Sequence, residues 1–150
     1  MKINVRFTFI YFAFLSTCIN FASMLKNILL VAAGGAVGSV ARYLVSLALH
    51  GTAVAAVPLG TLAVNVVGSF VIGLIGGLSA SGHTDVGAGF RLLLTTGFCG
   101  GFTTFSTFVN EAFCTARSGE VLGAAVYVGA GVVLGLLAVA AGWQLARAVA

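Results

Sequence analysis

The sequence contains, at residues 97–108, the stretch Gly97-Phe98-Cys99-Gly100-Gly101-Phe102-Thr103-Thr104-Phe105-Ser106-Thr107-Phe108. A glycine pair, a run of hydroxyl side chains and several phenylalanines lie there inside an apolar segment long enough to cross a bilayer. Because each glycine costs a helix roughly 1 kcal/mol against alanine, we expect the helix to break at the Gly100-Gly101 pair. In hydrocarbon, a broken helix survives only where protein, water or an ion meets its freed backbone groups. The stretch therefore predicts a pathway or a binding site within the membrane.

The composition indicates an integral membrane protein. Hydrophobic residues make up 60% of the 150 residues and charged residues only 7%, and the mean hydropathy is +1.16. A soluble domain has about 25% charged residues. The formal net charge of +4 comes without a basic cluster, so membrane lipid is an expected partner and nucleic acid is not.

Apolar segments of about 20 residues or more, the length that a bilayer core requires, can be laid out along the chain. They cover about 25–50, 58–79, 89–114 and 121–146, and the third contains the expected break. The connections between them are short. We therefore predict one all-α, four-helix membrane domain over residues 24–150, with no soluble domain.

Residues 1–23 form a separate N-terminal extension. Lys2 and Arg6 precede an apolar run, which is the pattern of a signal peptide. At Met24 a second stretch begins in which polar residues precede an apolar run. An alternative interpretation is therefore that translation of the protein starts at Met24. A cleaved signal and a fifth helix are the other interpretations.

Charge placement gives only a weak orientation signal. The cations of residues 24–150 divide three against two between the sides of the membrane: Lys26, Arg91 and Arg147 against Arg42 and Arg117. The positive-inside rule needs a clear excess to fix a topology. We therefore expect the chain to insert both ways round.

Polar side chains inside the apolar segments are few. Asn65 lies near the middle of the second segment, with Ser69 one turn away on the same face. Its amide either hydrogen-bonds a neighbouring helix or offers donors to an anion. Arg42 is either a snorkelling anchor or a cation that attracts anions into a vestibule. Glu111 is either interfacial or paired with a cation, and the Tyr127 hydroxyl needs a partner if it is buried.

Phe105 and Phe108 are spaced i, i+3 and therefore share one helix face. Such a pair is usually part of a core, but Ser106 and Thr107 place hydroxyls between these two rings. Ring edges carry the positive end of the aromatic quadrupole, so edges beside hydroxyl donors suit a small anion. Without a full positive charge at mid-membrane, binding would be weak and fast, as conduction requires.

From Met24 onward the chain resembles the Fluc/CrcB fluoride channels over essentially its whole length. The motifs that carry the resemblance are, in order, Gly34-Gly35-x-x-Gly38-x-x-x-Arg42-Tyr43, Gly60-Thr61-Leu62-x-x-Asn65-x-x-Gly68-Ser69-Phe70 and the stretch 97–108. The resemblance implies a dual-topology homodimer of antiparallel four-helix subunits, with two pores along the dimer interface, in the cell inner membrane or plasma membrane. It implies passive export of fluoride. The sequence contains no nucleophile–base constellation, so we expect no enzymatic activity.

The resemblance also implies roles for individual residues. The ion pathway would be lined by Asn65, Ser69, Phe105, Ser106, Thr107, Phe108 and Tyr127. Arg42 and Glu111 would lie at the wide aqueous entrances. Gly100 and Thr103 would hold a structural sodium ion through backbone carbonyls at the helix break. Two features depart from the family: glycines at 131 and 135, where members often carry hydroxyls, and the extension 1–23.

A small dual-topology proton-coupled exporter is the alternative function. Such an exporter needs a titratable carboxylate deep in the membrane, and the first two segments contain none. A non-transporting membrane assembly protein is a third class, but it would not need the glycine pair with its hydroxyl run. The sequence also lacks a Gly-x-x-x-x-Gly-Lys-Ser/Thr loop for ATP.

Overall fold

The structure, a computed structural model, describes residues 5–51, 53–54, 57–81 and 87–150, with backbone alone for 5–18, 53–54 and 57. The elements in chain order are α1 (Val5–Ala48), β1 (Ala53–Val54), β2 (Val57–Pro58), α2 (Leu59–Ser81), α3 (Ala88–Leu92), a π-helical segment (Leu93–Cys99), α4 (Gly100–Phe102), α5 (Phe105–Arg117) and α6 (Val121–Val149). In the described residues, the antiparallel pairing of β1 with β2 is the only non-helical element, and it lies in the loop between α1 and α2.

The described chain has four helical stretches that are long and apolar enough to cross a membrane. They are Ile19–Ala48, Leu59–Ser81, Ala88–Arg117 and Val121–Val149. The four predicted segments are confirmed by this measure of length and composition. The chain is therefore a multi-pass membrane protein built from helices.

The first helix is longer than the predicted segment. α1 begins at Val5 and continues to Ala48, a length of 44 residues. At 1.5 Å per residue it measures about 66 Å, roughly twice the hydrocarbon core of a bilayer. No helix end marks the expected boundary after residue 23, and the assignment of residues 1–23 to a separate extension stays a prediction.

The third span is broken, but the break lies just beyond the expected glycine pair. Gly100 keeps right-handed helical dihedral angles (φ −62°, ψ −36°). Thr103 (φ −83°, ψ 159°) and Thr104 (φ −148°, ψ 109°) are extended, and α5 begins at Phe105. The expectation of a break at Gly100-Gly101 itself was therefore wrong in position.

The glycines of the third span allow it to pack closely against α1. A Cβ at Gly38 would overlap the Phe98 carbonyl oxygen, and a Cβ at Gly101 would lie 2.5 Å from the Gly35 carbonyl oxygen. Small residues allow helix backbones to approach closely in lipid, where no hydrophobic force drives helices together. This contact explains Gly101, because any side chain there would separate the two helices.

A second glycine-lined contact joins α2 to α6. A Cβ at Gly73 would overlap the Val139 carbonyl oxygen, and a Cβ at Gly142 would overlap the Phe70 carbonyl oxygen. α5 packs beside α2 and α6 and leaves an opening among the three helices.

Many apolar side chains on the outside of the bundle are exposed, as lipid-facing residues are, and Leu122 is 78% exposed.

Candidate functional site

A cleft of about 390 Å³ lies beside the helix break. Its walls come from α2, α5, α6 and the break itself, and its lining includes Asn65, Ser69, Thr103, Phe105 and Phe108. The rest of the lining is mainly aliphatic. The fold therefore brings the predicted amide and both predicted rings to one surface that is apolar with a few polar groups, which is the usual character of a ligand site.

Asn65, on the neighbouring helix α2, hydrogen-bonds the backbone at the break. Its Nδ2 donates to the Thr104 carbonyl at 3.1 Å, and its Oδ1 accepts from the Thr104 N–H at 2.8 Å. In a continuous α-helix this N–H would donate to the carbonyl of Gly100. Asn65 therefore replaces the lost helical acceptor. The amide pairs with a neighbouring helix and also lines the cleft, where Nδ2 has a second hydrogen.

Thr104 is the N-cap of α5. Its Oγ1 accepts from the Thr107 N–H at 3.3 Å and donates to the Thr107 Oγ1 at 2.9 Å. Threonine is a preferred N-cap because its oxygen satisfies a backbone donor of the first turn. The sequence reasoning assigned no role to Thr104. A hydroxyl residue directly before the second half-helix was the signal that could have identified it.

At the break, two backbone N–H groups donate to side chains and not to the carbonyls that would accept from them in a continuous helix. The Thr104 N–H donates to Asn65 instead of the Gly100 carbonyl, and the Thr107 N–H donates to Thr104 instead of the Thr103 carbonyl. Gly100 is exposed and Thr103 is half-buried. These are the two residues expected to hold sodium, and freed carbonyls of this kind coordinate sodium in discontinuous membrane helices.

Arg42 contacts the same break from α1. Its Nε donates to the Gly101 carbonyl at 3.0 Å, and in a continuous helix this carbonyl would accept from the Phe105 N–H. The half-buried guanidinium therefore replaces the N–H donor that the Gly101 carbonyl would have in a continuous helix. Its predicted place at an aqueous entrance stays a prediction.

The two phenylalanines have different environments. The residue Phe105 is 78% exposed, whereas Phe108 is 8% exposed. Their centroids are 6.4 Å apart with the planes tilted by 44°. The Phe108 ring also meets Tyr127 edge-on, with centroids 4.8 Å apart. One ring therefore projects from the surface of the chain, while the other is packed within the helix bundle.

The Glu111 carboxylate accepts hydrogen bonds from two hydroxyls. Tyr127 donates to Oε2 at 2.6 Å, and Thr61 donates to Oε1 at 2.8 Å. Both hydroxyl residues are buried. The partner that Tyr127 requires is thus Glu111, and Thr61 is a further member that the sequence reasoning did not assign. The carboxylate connects α2, α5 and α6 behind the Phe108 ring.

Not all predicted pathway residues line the cleft. Ser106 and Thr107 are exposed on the outside of α5, beside Phe105. Tyr127 is buried behind Phe108. It contacts the Phe108 ring, and this ring separates it from the cleft. The chain therefore carries a polar and aromatic surface, near the middle of the third span, that none of the described residues covers.

Comparison with known proteins gives consistent matches. Residues 29–143 match the family described as "CrcB-like protein, Camphor Resistance (CrcB)". The chain is 51% identical over 126 residues to the "Fluoride-specific ion channel FluC" of Chlorobaculum tepidum, an alignment that covers 83% of this chain and 97% of that relative. The protein of the same name from Rhizobium johnstonii is 50% identical over 125 residues, which cover 81% of this chain and 97% of that relative.

Proposed function

The chain belongs to the CrcB family, and we propose that it is a fluoride-specific ion channel that exports fluoride passively and lowers cytoplasmic fluoride. The printed names of its relatives support both the ion and the channel, and they name no enzyme. The observation in this chain that carries the proposal is the cleft beside the helix break, where Asn65, Phe105 and Phe108 meet.

The driving force for export is the membrane potential. Neutral HF crosses the bilayer and ionises inside, where the fluoride anion is trapped. A pore for the anion allows a potential that is negative inside to expel it, with about 2.3 kcal/mol per charge per 100 mV. A multi-pass protein with this role belongs in the cell inner membrane or plasma membrane, across which that potential exists.

The cleft offers weak ligands suited to a small anion. The second Nδ2 hydrogen of Asn65 is a donor, and the edges of Phe105 and Phe108 carry partial positive charge. Among the described residues that line the cleft, there is no lysine or arginine. Binding by such partial charges is weak enough to allow release, as conduction requires.

The exposed surface around the break supports an antiparallel homodimer. The exposed residues around the break are Gly100, Phe105, Ser106 and Thr107. Hydrocarbon tails would offer no hydrogen bonds to the polar groups of this surface. A second copy would cover this surface and complete the wall of the cleft. The weak charge bias between the two sides of the membrane favours an oppositely oriented copy.

A sodium ion fits the freed carbonyls of Gly100 and Thr103. Both carbonyls have lost their helical donors, and Gly100 lies on the exposed surface that the second copy would cover. Bound there, sodium would supply a fixed positive charge that satisfies the carbonyls of both subunits. Its role in this proposal is structural.

The proton-coupled exporter is not favoured. The relatives are named as channels, and the carboxylate of Glu111 accepts two hydroxyl hydrogen bonds in a network that joins three helices. A channel and an exporter differ in what drives the flux. In liposomes that hold the full chain, fluoride efflux from a channel follows a potassium-valinomycin potential. After the HF leak of protein-free liposomes is subtracted, this efflux is unchanged by a pH gradient. Protein-dependent efflux driven by a pH gradient at zero potential would contradict the channel.

A further inference from the structure

A groove of about 710 Å³ runs along α1 and meets the third span at Leu92. It shares no lining residue with the cleft beside the break. Its two ends differ in polarity. The lining is mainly polar over residues 20–27, with Asn20, Ser23 and Asn27, and apolar beyond, with Ile28, Val31 and Ala32. The groove therefore changes from polar to apolar along the axis of α1.

The polar end of the groove lies at the depth of lipid headgroups. Gly38 of α1 meets the third span at Phe98 and Phe102, near the middle of that span, and so marks the bilayer centre. Asn27 precedes Gly38 by about 16 Å along the helix axis, at 1.5 Å per residue. Because half of a hydrocarbon core is about 15 Å thick, Asn27 lies at its boundary and Ser23 lies one turn beyond it. The groove therefore crosses from the headgroup region into hydrocarbon.

Two cations lie at this end of the groove. Lys26 and Arg91 are each next in sequence to a lining residue, and both are exposed. A Cβ at Gly89 would lie 3.2 Å from Cδ1 of Leu30, so the start of the third span lies beside this part of α1. The acidic residues that the structure describes lie in α5 and directly before α6, and none of them lines the groove. The positive charge is therefore not offset there by a described acidic side chain.

We propose that this groove binds an anionic membrane phospholipid, with its phosphate beside Lys26 and Arg91 and an acyl chain along the apolar end. Amide and hydroxyl groups of the polar end can donate hydrogen bonds to the phosphate oxygens. Basic pockets between transmembrane helices bind anionic headgroups in this way. A zwitterionic lipid would fill the apolar end equally well but gain less from the two cations. This site goes beyond the proposed function and does not depend on which ion the chain conducts.

The first test compares two lipids on the purified full chain. Phosphatidylglycerol and phosphatidylcholine with the same acyl chains are titrated, and bound lipid is counted by native mass spectrometry. Each cation near an anionic headgroup adds about fivefold to the affinity. We expect the wild-type chain to bind phosphatidylglycerol at least about tenfold more tightly than phosphatidylcholine. Equal affinity for the two lipids would overturn the proposal.

A pair of charge-matched variants locates the site. Lys26→Gln combined with Arg91→Gln removes both cations, and the fold should persist because both residues are exposed. Arg117→Gln combined with Arg147→Gln makes the same change in net charge at exposed residues outside the groove. We expect the preference for phosphatidylglycerol to fall to within about twofold in the first variant and to persist in the second. Equal loss in both would indicate a general charge effect and would overturn the site.

Two further measurements distinguish a lipid from free phosphate. Glycerol 3-phosphate carries the phosphate without acyl chains, and we expect no binding of it at concentrations at which phosphatidylglycerol saturates the chain. Ala32→Phe adds bulk at the apolar end without changing the charge and should weaken the binding of both lipids severalfold. Glycerol 3-phosphate that binds as tightly as the lipid, or unchanged lipid binding in Ala32→Phe, would overturn the proposal. Fluoride flux is not a readout here, so failure of the proposed function would leave this inference standing.

Discussion

Asn65 pairs with both backbone groups of Thr104, accepting from its N–H at 2.8 Å and donating to its carbonyl at 3.1 Å. One amide from α2 therefore satisfies the residue at which the third span stops being helical. Arg42 of α1 satisfies a second group, the Gly101 carbonyl. Hydrogen bonds from two neighbouring helices thus stabilise the break. It is specified by tertiary contacts and not only by low helix propensity within the third span.

The Asn65 pairing predicts a loss of stability in Asn65→Ala. Two hydrogen bonds of about 1 kcal/mol each would be lost, so the free energy of unfolding should fall by about 2 kcal/mol. Unfolding in detergent, followed by circular dichroism, measures this change. Asn110→Ala is the matched control, because Asn110 is exposed on α5. Equal stability of the two variants would contradict the role of Asn65 at the break.

Arg42→Lys distinguishes two roles of Arg42. Lysine keeps the positive charge but lacks the planar Nε–H that meets the Gly101 carbonyl. If Arg42 stabilises the break, the free energy of unfolding should fall by about 1.5–3 kcal/mol, the range for a hydrogen bond to a charged group. If Arg42 only attracts anions, lysine should preserve both stability and flux. We expect the first result.

Tyr127→Phe tests the carboxylate network. The substitution removes the hydroxyl that donates to Glu111 and keeps the ring that packs against Phe108. The free energy of unfolding should fall by about 1.5–3 kcal/mol, because the lost hydrogen bond has a charged acceptor. Tyr43→Phe serves as control, since Tyr43 is 65% exposed, and should be neutral. Neutrality of both variants would mean that the network adds no stability.

Removal of sodium tests the freed carbonyls of Gly100 and Thr103. The protein is purified with N-methyl-D-glucamine in place of sodium, and sodium or potassium is then added back. Sodium at a hundredfold excess over its Kd would stabilise the folded state by about 2.7 kcal/mol. We expect the melting temperature to recover with sodium and not with potassium. A melting temperature indifferent to all three cations would contradict a structural sodium ion.

The four spans could be predicted because a membrane crossing depends on the length and polarity of one local segment. The break was only partly predictable. The cost of glycine in a helix identified the correct segment, but the residue at which helical hydrogen bonding stops is set by Asn65, 39 positions before Thr104. In addition, Gly101 is required by its contact with Gly35, so its helix-breaking tendency is overridden by packing.

The partners of Glu111 were not predictable from spacing. Tyr127 is 16 positions away and Thr61 is 50 positions away, on two other helices. Which side chains meet there depends on the rotation of each helix about its own axis, and the apolar pattern of a membrane helix, hydrophobic nearly all round, does not define that rotation. The need of a buried tyrosine hydroxyl for a partner was predictable, but the identity of the partner was not.

The most direct test of the channel is fluoride efflux from liposomes that contain the purified full chain, followed with a fluoride electrode beside a chloride electrode. We predict fast fluoride efflux without chloride efflux. Phe105→Ile should abolish the flux, because it removes the exposed ring edge at the cleft, while the protein remains folded. Leakage of both anions, no fluoride flux from folded protein, or full flux in Phe105→Ile would contradict the account.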